Sequence, residues 1–89
     1  MSRLFEVWHE AYDGRYQLVR LSIWRFSWWE VWDWGLYPAR QEEELFRQFY
    51  RGRSSIERYQ SLLFYARCVY TGVNREKAKQ AWRSPNKNH

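Results

Sequence analysis

Few residues in this chain stand at spacings that catalysis or metal binding would need. His9 and His89 are its two histidines, and neither lies at ligand spacing from a second histidine, an aspartate or the lone Cys68, so no metal site is expected. Cys68 falls within an apolar helical periodicity, away from a helix start where a thiolate is favoured, and reads as a packing thiol. Glu6 and Glu10 share a strand face, but four residues along a strand separate them by about 13 Å, too far for paired-carboxylate chemistry. The four glycines are isolated, so no phosphate-cradling loop is present. The reading is a protein without enzymatic activity and without a cofactor.

Recognition chemistry is better represented. Seven Trp, seven Tyr and five Phe make 19 aromatic residues of 89. Trp8, Tyr16, Arg20, Trp24, Trp28 and Trp32 occupy even positions along alternating segments, and the alternation predicts one sheet face that carries all six. Such a face could anchor a protein partner, since Trp, Tyr and Arg dominate protein–protein hot spots. It could equally stack on unpaired bases. A helix packed over it would instead make these residues core.

Cations form a second group. Arg75, Lys79 and Arg83 recur every four residues, with Lys77 and Lys87 nearby and only Glu76 opposing. Together with Arg51 and Arg53 they are the candidates for contacting phosphate or an acidic protein surface; the bland alternative is a solubilising helix face. Arg40, Arg47 and Arg51 also share a helical face, but Glu43 and Glu44 neutralise it. Arg58 and Arg67 fall on opposite sides of a helix and form no stripe.

The elements that must position these groups divide near Pro38. Residues 1–37 hold four Arg against five acids and alternate with period two; residues 38–89 hold eleven cations against five acids and turn helical in spacing. A hairpin is expected over residues 3–24, closed by Tyr12-Asp13-Gly14 with Gly14 left-handed, pairing odd residues with odd: Phe5 with Leu21, Val7 with Val19, and Trp8 with Leu18. A third strand is expected over 28–34, placing Trp29 and Val31 with the aliphatic face; its connection through Arg25-Phe26-Ser27 carries no Gly or Pro. A helix should follow Pro38 and stop at Gly52. A second should be capped by Ser54 and Glu57, run through Ile56, Tyr59, Leu62, Leu63, Ala66, Val69 and Tyr70, and end at Gly72. Asn74 should cap a short third helix, Arg75–Arg83, anchored by Ala78, Ala81 and Trp82. The expected fold class is α+β: a three-stranded antiparallel meander, then two longer helices and one short C-terminal helix. Residues 1–84 would form one domain and 85–89 a flexible polar tail.

Composition removes other classes. The aromatic content argues against disorder. The most apolar stretch, Tyr16 to Tyr37, carries Arg20, Arg25, Glu30 and Asp33, so no membrane span is expected, and the start of the chain lacks the apolar run of a secretory signal. A single Cys implies no internal disulfide and fits a cytoplasmic setting. The expectation is a small protein-binding module, an inhibitor or adaptor (a phage-encoded inhibitor of a host or defence factor would be one example). Its partner would be acidic-surfaced, and a homodimer could use the same face. The alternative is a nucleic-acid-binding module with an aromatic platform and a basic C-terminal helix.

Overall fold

The β-branched and aromatic residues of the first third do form adjacent strands. The computed structural model describes residues 5–35, 44, 47, 49 and 54–84. Its elements are β1 (Phe5–Tyr12), β2 (Tyr16–Ile23), β3 (Phe26–Asp33), α1 (Ser55–Tyr65), β4 (Arg67–Gly72) and α2 (Arg75–Arg83). The strands make one antiparallel sheet in the order β1-β2-β3-β4. The fold class is therefore α+β, with four strands where three were expected and two helices as described elements where three were expected. Glu44, Arg47 and Phe49 are helical, in line with the first expected helix. Pro38, Arg51, Gly52, Arg53 and the expected tail 85–89 lie outside the described residues.

The first hairpin keeps odd residues opposite odd, but two positions further along than expected: Phe5 pairs with Ile23, Val7 with Leu21 and Trp8 with Arg20. A bulge between His9 and Ala11 makes Glu10 an extra residue, after which Ala11 faces Leu18 and Tyr12 faces Gln17. The bulge reconciles an odd–odd ladder with a short tip. Asp13 closes that tip through its Oδ1, which accepts from the backbone N–H groups of Arg15 and Tyr16 at 3.1 and 2.7 Å. Gly14 takes a φ of 100°, which a side chain would resist.

The second hairpin overturns the expected face assignment. Ile23 pairs directly with Phe26, so Trp24 and Arg25 alone form the turn and β3 begins two residues early. This pairing sets odd residues of β2 opposite even residues of β3. Trp28, Glu30 and Trp32 consequently join Val7, Val19 and Leu21, while Trp29 and Val31 join Leu18 on the opposite face.

The expected long second helix is also corrected. Ser54 does cap it: Ser54 Oγ accepts from Glu57 N–H, and Glu57 Oε1 accepts from Ser54 N–H, both at 3.2 Å. The helix stops at Tyr65, where Ala66 turns extended (φ −130°, ψ 176°), and residues 67–72 become β4. Cys68-Val69-Tyr70-Thr71 is rich in strand-favouring types, and pairing it with β3 removes an open edge there.

Both sheet faces are covered. Between the sheet and α1 lie Val7, Val19, Leu21, Trp32, Trp34 and Leu62, with Phe49 joining them. On the other face α2 brings Ala78 and Ala81 down onto Leu18 and Val31, two small residues that allow a close approach. Asn74 caps α2 by accepting from Lys77 N–H at 3.0 Å, and Trp82 Nε1 donates to the Tyr16 carbonyl at 2.9 Å.

Candidate functional site

The six residues expected on one aromatic face are dispersed. Trp28 and Trp32 lie under α1, Trp32 almost fully buried. Trp8, Tyr16 and Arg20 are on the α2 side of the sheet, where Tyr16 packs with Trp82. Arg20 approaches Glu10 at 4.0 Å, and Trp8 lies beneath the Arg58 guanidinium, 5.3 Å from its ring centre. Trp24 belongs to neither face because it forms the β2–β3 turn. The physical reason is the two-residue turn, which inverts the parity of β3 relative to β2.

That inversion assembles a feature the sequence reading missed. Glu30 is 6% exposed, and its carboxylate accepts from Trp28 Nε1 at 3.0 Å, Trp32 Nε1 at 2.9 Å and the Tyr59 hydroxyl at 3.2 Å, with Thr71 Oγ1 at 3.5 Å. No Arg or Lys among the described residues pairs with it. The signal was the period-two run Trp28-x-Glu30-x-Trp32, which puts both indoles on the carboxylate's own face. These donors replace the water that the buried carboxylate loses on folding.

Two neighbouring groups feel this burial. Desolvation, then the Glu30 charge, push the Tyr59 hydroxyl up to about 12. The same causes, in the same order, push the Cys68 thiol up to about 11. Cys68 is an exposed residue of β4 and not the helix-packed thiol expected, so water screens its share of the effect and Tyr59 carries most of it. Both protons are held more tightly in the folded chain than in the unfolded one. Stability should therefore be intact below the ordinary thiol value of 9.0 and fall as pH rises through 9 to 12. Urea midpoints measured from pH 8 to 12 should show this decline, and Tyr59→Phe should flatten its upper part, between 10 and 12.

Two exposed aromatic residues stand together at the β2–β3 tip. Trp24 is 70% exposed, Phe26 65% and Ile23 45%, and the last two are a cross-strand pair. Trp24 has a φ of 57°, the left-handed region, and no other described residue except glycine has a positive φ. That backbone costs an L-residue with a Cβ about 1–2 kcal/mol. Arg25 lies over the indole, 4.4 Å from the ring centre, and presents a cation beside the apolar tip. A second exposed apolar stripe, Ile56, Leu63 and Phe64, runs along α1.

The expected cations are only partly available. Arg75 pairs with Glu10 at 3.6 Å, the carboxylate that Arg20 also approaches. Lys77 and Arg83 are exposed and Lys79 is half-buried. Arg51 and Arg53 lie outside the described residues. No group of three or more His, Cys, Asp or Glu side chains among the described residues could hold a metal ion, and no described helix is long and apolar enough to cross a membrane. Compared with known proteins, the chain matches no family model, no curated protein and no solved structure.

Proposed function

We propose that this chain is a non-enzymatic protein-binding module, an inhibitor or adaptor, whose anchor is the β2–β3 tip. The observation that carries this reading is Trp24: a large indole left in water, on a backbone conformation that Gly or Asn would adopt at less cost. Within the fold the exposed indole gains only the surface contact with Arg25, which does not offset the strained backbone, so its benefit lies in a contact with another molecule. Ile23 and Phe26 flank it as further apolar surface, and Arg25, with a formal net charge of +5 for the whole chain, favours an acidic-surfaced partner. The nucleic-acid reading has less support, because Trp32 is buried, Trp28 is half-buried under α1, and Arg75 is paired with Glu10.

Trp24→Gly separates binding from folding. The variant should unfold at a urea concentration no lower than wild type, since glycine relieves the left-handed backbone. It should nevertheless lose, by at least tenfold, affinity for a protein that co-purifies with wild type and is identified by mass spectrometry, and Phe26→Ser should do the same. An identified partner retained equally by both variants would place the anchor elsewhere. Tight, salt-sensitive binding of single-stranded oligonucleotides by both variants would favour the second reading.

A further inference from the structure

At the opposite end of β3 from Trp24 lies a cleft of about 270 Å³, lined among the described residues by Arg15, Asp33, Gly35 and Arg67. Arg15 comes from the first hairpin tip, Asp33 and Gly35 from the end of β3 and just beyond it, and Arg67 from the start of β4. Arg15 grips Asp33 with one edge only: Nε donates to Oδ1 at 2.8 Å and Nη2 to Oδ2 at 3.0 Å. A guanidinium carries five N–H groups, so three of them remain on the edge turned away from Asp33. Arg15 is 58% exposed, and its guanidinium carbon lies over the Tyr16 ring, 5.1 Å from the ring centre. Arg67 is exposed and its side chain makes no hydrogen bond or ion pair with the described residues, although its charge adds to the Arg15 hydrogen bond that chiefly keeps the Asp33 carboxyl low. Gly35 N–H donates to Asp33 Oδ1 at 2.8 Å, and a Cβ at Gly35 would stand 3.1 Å from Arg15 Nε, crowding the clamp.

Two guanidiniums against one carboxylate leave the cleft at net +1. We propose that it is a binding site for a tetrahedral oxyanion, free phosphate or a small phosphomonoester, held between the outer edge of Arg15 and the Arg67 guanidinium. Asp33 positions Arg15 by taking its Nε/Nη2 edge, which leaves the Nη1/Nη2 edge for a second anion. A tetrahedral group carries oxygens enough to use the other edge of Arg15 and Arg67 together. The volume leaves room for the organic part of a phosphomonoester beyond the oxyanion, one water taking roughly 30 Å³.

The test is an amide NMR titration at constant ionic strength, with sodium phosphate, phenyl phosphate, sodium acetate and sodium chloride as separate arms. Phosphate should give saturable shifts at Arg15, Gly35 and Arg67 with a millimolar dissociation constant, and tighter binding of phenyl phosphate would point to a phosphomonoester. Arg67→Ala, a change on an outer strand, should weaken phosphate binding about tenfold, the loss of one charge-assisted contact. Asp33→Asn should tighten it by removing the opposing charge; should that variant not fold, Arg67→Glu abolishing binding serves the same purpose. Phosphate shifts that do not saturate, that Arg67→Ala leaves unchanged, or that acetate reproduces at equal concentration would each overturn the proposal.

Discussion

Glu30→Leu should destabilise the fold by about 3–5 kcal/mol in urea denaturation. Four donors converge on this carboxylate, and leucine offers none of them an acceptor. Trp28 and Thr71 lie close enough to solvent to turn toward water. Trp32, at 2% exposure, and Tyr59, packed edge-on against both Phe5 and Trp32 at 5.6 Å, are held in place. Each buried donor left unmatched costs about 1–3 kcal/mol. A chain of 89 residues has roughly 4–13 kcal/mol of stability in all, so the variant sits near its unfolding limit. Glu30→Gln sharpens the argument. Its oxygen serves some of the donors, but its amide points N–H groups at indole N–H groups, and it should cost about half as much. A neutral or stabilising Glu30→Leu, as seen when some buried ion pairs are replaced by apolar groups, would mean that the carboxylate's desolvation cost outweighs its hydrogen bonds.

Trp34→Ala should be comparably damaging, at about 3–5 kcal/mol. Trp34 is fully buried and stacks on Tyr65 with ring centres 6.3 Å apart, and its Nε1 donates to Gln17 Oε1 at 3.0 Å. Gln17 is itself fully buried and contacts His9 Nδ1 through its Nε2 at 3.1 Å. Removing the indole opens a cavity and also strips an acceptor of its partner. Trp34→Phe separates the two losses, keeping most of the volume but not the donor, and should cost about 1–3 kcal/mol. Urea denaturation of both variants, followed by far-UV circular dichroism, measures the difference. Equal midpoints for Phe and wild type would show that the hydrogen bond to Gln17 is dispensable.

What could be read directly from sequence was encoded locally. Ser54 with Glu57, and Asn74 before Arg75, satisfy helix-start N–H groups within one turn, so neither depends on the rest of the chain. The odd–odd ladder of the first hairpin and the anchoring of α2 by Ala78, Ala81 and Trp82 were likewise legible. The second turn was not. Its left-handed position holds Trp24, where Gly or Asn would have marked it. One concealed residue therefore moved Trp28 and Trp32 from an imagined platform into the core. Of the expected aromatic set, Trp24 is the member kept in the proposed anchor, with Ile23 and Phe26 recognised only once the turn was known. The end of α1 was hidden for another reason. Val69 and Tyr70 fit a helical stripe and a strand equally well, and the edge of β3 decided between them by pairing.

Because α1 and α2 cover opposite faces, alternation along these strands does not separate inside from outside. It sorts residues between two interiors of different character. One is built on indoles and phenols around a carboxylate; the other has a small aliphatic centre of Leu18, Val31, Ala78 and Ala81, with Tyr16, Trp29, Tyr70 and Trp82 packed around it. The sheet backbone is a partition between them, bridged at the β1 edge where Arg58 of α1 reaches over Trp8. Substitutions in different interiors should then combine additively, whereas those sharing Glu30 should not. Such a chain can drift in its alanine-lined half without renegotiating its aromatic half, a modularity that a single mixed core of this size would not allow.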